Sequence, residues 1–128
     1  MKILLIDDDQ ALAILFGTTF RTEGFEVITA YDGKSGIEKA KQEKPDFILL
    51  DQILPDIKGN DVLKTVKSDP DTKAIPIALL SNFGQNELIQ EAMSLGAVDY
   101  ILKYQVEPKD LVIKVRQLST EAAQSSQM

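Results

Sequence analysis

Four short apolar runs in this 128-residue chain end on a residue able to do chemistry. Asp7-Asp8-Asp9 follows Ile3-Leu4-Leu5-Ile6, and Asp51 follows Phe47-Ile48-Leu49-Leu50. Ser81 follows Ile77-Ala78-Leu79-Leu80, and Lys103 follows Tyr100-Ile101-Leu102. If the fold gathers Asp7, Asp8 and Asp51, each carboxylate pair near 4 Å repels by about 4 kcal/mol at an effective dielectric near 20, so a compensating cation is called for. An all-oxygen, partly hydrated site suits Mg²⁺, with Mn²⁺ the second choice. A hydroxyl and an ammonium arriving at the same edge add donors for an oxyanion, which together make the equipment of phosphoryl transfer. Taken singly, each residue has a plainer reading. Asp9 caps a helix, Asp7 and Asp8 are solvated charges beside it, Ser81 is a turn residue and Lys103 a surface lysine. Only their convergence points to a site.

Composition narrows the chemistry further. The chain has no cysteine and no histidine, which removes disulfides, thiolate nucleophiles, imidazole bases and the usual zinc ligand sets. Lys and Arg number 14 against 20 Asp and Glu, and the formal charge of -6 disfavours direct binding to nucleic acid or to an anionic membrane. The longest unbroken apolar run, Ala11 to Phe16, is far short of the ~20 residues a membrane helix needs. Met1-Lys2 leads straight into an apolar run and then acidic residues, with no small-residue cleavage site, so the cytoplasm is the default location.

The elements that must position these residues can be read from periodicity. Strand-length runs at Ile3–Ile6, Val27–Ala30, Phe47–Leu50, Ile77–Leu80 and Tyr100–Leu102 alternate with apolar residues at helical spacing. The latter are Leu12, Leu15, Phe16 and Phe20; Ile37 and Ala40; Val62, Leu63 and Val66; Leu88, Ile89, Ala92, Met93 and Leu95; and finally Leu111, Val112, Val115 and Leu118. Gly24, Pro45 and Gly96 follow helical stretches and Pro108 precedes the last. Five strand-helix units predict a doubly wound α/β domain with a parallel sheet covered by helices on both faces. The domain occupies residues 1–120, with 121–128 a short polar tail, and Ser119 onward, rich in Gln and Ser, reads as frayed. In this fold ligands bind outside the carboxyl ends of the strands, where Asp7, Asp8, Asp51, Ser81 and Lys103 all fall.

Over Lys2 to about Leu118 the sequence resembles the receiver domain of two-component response regulators. The resemblance rests on four segments in order: Ile3 to Asp9, Phe47 to Gly59, Ile75-Pro76 through Ser81, and Gly96-Ala97-Val98-Asp99 through Lys103. It implies a flavodoxin-like five-stranded sheet in order 2-1-3-4-5 and a phosphorylation-dependent switch. Asp51 then accepts a phosphoryl group from a phosphohistidine on a histidine kinase or histidine phosphotransfer protein. Asp8 is the direct Mg²⁺ ligand, Asp7 acts mainly through water, and the carbonyl of Ile53 completes the protein ligands alongside Asp51. Ser81 and Lys103 engage the phosphoryl oxygens, and Tyr100 is the aromatic switch that turns inward when Ser81 moves. Read alone, Tyr100 is a half-buried strand aromatic whose hydroxyl reaches water. The implied output is a changed surface on helix four, strand five and helix five, met by a downstream protein or a second copy of the chain, with no turnover of an external substrate.

Four positions depart from the family's usual pattern. Tyr104 follows Lys103 where proline, often cis, is common, so that peptide is expected to be trans and the loop through Glu107 to take its own path. Asn82 replaces a small residue, and Ile53 and Phe83 are apolar where polar groups often position attacking water, which predicts slow self-dephosphorylation. Two rival readings exist. In a haloacid-dehalogenase-like phosphatase Asp7 is the nucleophile, but no acidic pair follows Lys103 on another strand. The other rival is a receiver-shaped interaction module that is never phosphorylated. Flavin binding is disfavoured by an acidic exit from the first strand.

Overall fold

The computed structural model describes residues 1–126, with side chains through residue 124. Five strands, β1 (Lys2–Ile6), β2 (Glu26–Ala30), β3 (Phe47–Leu50), β4 (Ile77–Ser81) and β5 (Asp99–Leu102), form one parallel sheet in the order β2-β1-β3-β4-β5. Helices α1 (Gln10–Thr22), α2 (Gly33–Glu43), α3 (Gly59–Ser68), α4 (Asn86–Ser94) and α5 (Pro108–Ser126) connect and cover it. Strand order and class are those expected from the sequence.

Alternation along each strand explains why both faces are covered. Leu4, Ile6, Ile48, Leu50, Ile77 and Leu79 point to one face and pack with Ala40 of α2, Val62, Leu63 and Val66 of α3, and Ala92 of α4. Ile3, Leu5, Phe47, Leu49, Ala78 and Leu80 point to the other, against Phe16 and Phe20 of α1 and Leu111, Val112 and Val115 of α5. The strands are therefore apolar at nearly every position, and the first polar residue after each is forced to the sheet edge.

Local sequence sets the element ends. Asp9 caps α1, its carboxylate accepting from Leu12 N–H at 3.1 Å, and Asp32 caps α2 by accepting from Ser35 N–H at 2.7 Å. Pro108 is the first residue of α5, where its missing N–H is harmless. Gly96 carries φ 103° just after α4, a conformation that excludes most side chains.

Three expectations need correction. Leu15 and Met93, assigned to core faces by spacing, are 52% and 44% exposed. The real inward stripe of α1 uses Ala13, Phe16, Gly17 and Phe20. α5 continues through Ser126, so Ser119 to Ser126 is helical where fraying was expected; Gln127 and Met128 of the polar tail lie outside the described residues. Glu, Ala, Gln and Ser tolerate a helix well enough that polarity alone does not end one.

Candidate functional site

β1 and β3 are hydrogen-bonded neighbours, and Asp51 N–H donates to Ile6 C=O at 2.9 Å, so the exits of the two strands lie side by side. Asp7 and Asp51 thereby share one ammonium. Lys103 Nζ lies 2.8 Å from Asp7 Oδ2 and 3.1 Å from Asp51 Oδ2, and all three side chains are less than a tenth exposed. Asp7 Oδ1 accepts from Asp9 N–H at 2.9 Å, leaving both its oxygens engaged. Asp8 is exposed, and Asp7, Asp8 and Asp51 each offer an oxygen within 4.8 Å of the others.

The charges do not balance. Three carboxylates face one ammonium, and burial pushes the Asp51 carboxyl up to about 6, with the attraction of Lys103 opposing the shift and the charge of Asp7 adding to it. Burial also disfavours the Lys103 ammonium, but its hydrogen bond to Asp7 and the charges of Asp51 and Asp7 outweigh this and hold its pKa above the ordinary lysine value. A hard divalent cation fits this donor set: the ligand atoms are all oxygen, they carry excess negative charge, and Asp8 keeps one side open to water.

Ser81 is the last residue of β4 and fully buried; its Oγ accepts from Phe83 N–H at 3.0 Å. The Tyr100 hydroxyl donates to Phe83 C=O in the β4–α4 loop at 2.6 Å. Ile53, 48% exposed, forms an isolated antiparallel bridge with Lys58 that closes the β3–α3 loop. Phe83 is 43% exposed at the end of β4, so two apolar side chains stand in water near the strand exits. No peptide among the described residues is cis, so the Lys103–Tyr104 bond is trans as expected, and a 3-10 turn, Lys103–Gln105, follows β5.

Several residues that shape the site give little sign of it in the sequence. Gly59 starts α3 against the β3 exit, where an added Cβ would stand 2.3 Å from Asp51 O and 2.7 Å from Gln52 Cα. Asp56 fastens the same loop to α2: its Oδ1 and Oδ2 accept from Gly33 N–H and Lys34 N–H at 2.8 and 2.9 Å. Gln52 and Asn60, 1% and 2% exposed, pair through their amides behind Asp51. A motif match marks Gly59 and Asp56 only as members of a segment. For Gln52 and Asn60, eight residues apart, no periodic signal exists.

Comparison with known proteins agrees with this geometry. Residues 3–116 match the model of the response regulator receiver domain, and the chain belongs to that family. The DNA-binding response regulator MtrA of Mycobacterium tuberculosis is 34% identical over 115 residues, covering 90% of this chain and 49% of that protein. The alkaline phosphatase synthesis transcriptional regulatory protein PhoP of Bacillus subtilis is 34% identical over 130 residues, 99% of this chain and 53% of its own length. The chain thus spans about half the length of the curated relatives it matches. A solved CheY-like response regulator receiver domain protein from Methanospirillum hungatei superimposes with a TM-score of 0.90 at 27% identity, over 97% of each chain. The receiver resemblance and the flavodoxin-like fold are both borne out, and the comparisons lend nothing to the phosphatase or passive-module readings.

Proposed function

We propose that this domain is switched by phosphorylation of Asp51, with the phosphoryl group supplied by a phosphohistidine of a histidine kinase or histidine phosphotransfer protein. The observation that carries this reading is the convergence of Asp51 with Asp7, Asp8 and Lys103 at adjacent strand ends. A carboxylate oxygen of Asp51 forms the new P–O bond while the P–N bond breaks and its electron pair returns to the imidazole, which takes up a proton. In this reading Lys103, now shared between two carboxylates, pairs with a phosphoryl oxygen, and the Ser81 hydroxyl donates a hydrogen bond to another. Asp7, with one oxygen on Lys103 and the other on Asp9 N–H, takes the part of a positioning carboxylate in this reading, and Asp51 that of the nucleophile.

Asp8, Asp7, Asp51 and the Ile53 carbonyl are the groups assigned to hold Mg²⁺ or Mn²⁺. When bound, the ion neutralises the excess charge and polarises the phosphoryl oxygens. The phosphorylated group adds charge and acceptor oxygens beside Ser81, and the surface of α4, β5 and α5 responds, meeting a downstream protein or a second copy of the chain. The domain's own charge of -6 speaks against its touching nucleic acid directly, and the cytoplasm, where such kinases present their phosphohistidine, is its assigned place. Among the described residues no helix is long and apolar enough to cross a membrane.

Phosphoramidate, whose P–N bond imitates phosphohistidine, tests the reading. Intact mass spectrometry is expected to show one phosphoryl adduct with Mg²⁺ and none with a chelator. An adduct of equal yield under both conditions would overturn the metal-assisted mechanism.

A further inference from the structure

Behind the phosphoacceptor site lies a buried amide network that the proposed chemistry does not use. Gln52 Oε1 accepts from Asn60 N–H at 2.9 Å, and Gln52 Nε2 donates to Asn60 Oδ1 at 2.9 Å. Gln52 C=O also accepts from Gly59 N–H at 2.7 Å. Lys58, at the N-cap position of α3, makes no capping bond with its side chain, so Gln52 caps the helix from a distance through two acceptors. The network then leaves α3 in two directions. Asn60 Nδ2 donates to Glu91 Oε1 at 2.7 Å and to Leu88 C=O at 3.4 Å, both on α4. The remaining Gln52 Nε2 hydrogen has the Tyr100 hydroxyl at 3.5 Å, and that hydroxyl donates to Phe83 C=O, whose own N–H is held by Ser81.

We infer that Gln52 is a positioning residue for the switch: its amide couples the chain just past Asp51 to α4 through Asn60 and Glu91, and to the β4–α4 loop through Tyr100. This rests on the proposed phosphorylation switch and adds to it the route by which α4 is held. The physical reason is satisfaction of buried groups. With Gln52 and Asn60 almost fully enclosed, and no buried side-chain polar atom left unpaired among the described residues, moving Tyr100 or α4 away breaks hydrogen bonds that these two amides make in this packing. The network therefore favours one packing of α4 and Tyr100, and Phe83 links that packing to Ser81.

The test is hydrogen exchange of the α4 segment, with 19F NMR of 3-fluorotyrosine protein reporting Tyr100, on the full chain with and without Mg²⁺ and beryllofluoride. Glu91 is exposed, so Glu91→Ala cuts the outer link without threatening the core, while Glu91→Gln retains an acceptor for Asn60. In the unmodified protein, α4 is expected to exchange about tenfold faster in Glu91→Ala and at the wild-type rate in Glu91→Gln. Gln52→Leu is expected to speed α4 exchange by at least as much and to move the Tyr100 resonance toward the position of an exposed tyrosine. Glu91→Ala combined with Gln52→Leu should add little to Gln52→Leu alone, because the two lie on one path. Wild-type exchange in both single variants, or strictly additive effects, would overturn the inference. If Gln52→Leu does not fold, the Glu91 pair decides it alone. These readouts precede any phosphorylation, so they stand or fall separately from the adduct on Asp51; a beryllofluoride response in wild type that survives intact in Glu91→Ala also counts against the inference.

Discussion

Asp51 carries a carboxyl that the fold makes costly to ionise in the absence of a cation. Its folded pKa of about 6 lies above the ordinary 3.8, chiefly because it is buried. The protonated form is thus favoured on folding, and that contribution is complete below pH ~4 and lost as pH rises through about 6. In chelator, Asp51→Asn is therefore expected to match wild type near pH 4 and to exceed it by on the order of 2–3 kcal/mol near pH 7.5, read from urea denaturation. Adding Mg²⁺ should close the gap by stabilising wild type; a gap independent of pH would contradict this origin. The exposed Ile53 and Phe83 give a second prediction at this scale. Neither can position water for attack on a phosphoryl group, so Ile53→Asn with Phe83→Glu is expected to shorten the lifetime of the phosphorylated form by about tenfold or more, followed by loss of the mass adduct. An unchanged lifetime would refute it. Asp7, Asp8, Asp51, Ser81 and Lys103 are legible in the sequence because each stands at or one residue past the end of an apolar run. Gln52, Asn60 and Glu91 are not, since their partners stand 8 and 31 residues away and buried amides obey no period.

Among the elements, the start of α3 bears most directly on the site. Gly59 lets the helix approach the Asp51 carbonyl, and its absent Cβ would meet backbone, which cannot swing aside as a side chain can. Gly59→Ala is expected to cost about 1–3 kcal/mol and to slow phosphorylation of Asp51, because relief of the clash displaces the β3 exit. Denaturation midpoints and adduct formation rates check this together; a midpoint equal to wild type would contradict it. Strand identity and the doubly covered parallel class follow from the sequence because both faces of the sheet are buried, which writes unbroken apolar runs into the chain; the strand order is what the receiver resemblance implies. Helix faces are less legible. Leu15 and Met93 fit the 3.6-residue period yet face water, since α1 and α4 each cover one side of the sheet and a narrow stripe suffices. The polar composition from Ser119 suggests an early end to α5, but a helix already nucleated on Leu111, Val112 and Val115 continues while its residues have fair helical propensity.

At the scale of the whole molecule, the sheet brings the exits of β1, β3, β4 and β5 to one edge, and the proposed output surface of α4, β5 and α5 flanks the last of them. The receiver spans about half the length of the curated relatives it matches. Asp51 and Asp7 are held by one lysine, and the proposed switch puts the phosphoryl group on Asp51 where the phosphatase reading puts it on Asp7. Peptide mapping by mass spectrometry after incubation with acetyl phosphate and Mg²⁺, on wild type and Asp51→Asn, addresses this most directly. A single adduct on Asp51, absent from the variant and from chelator-treated protein, is the predicted result. An adduct on Asp7, or one that persists in Asp51→Asn, would contradict it.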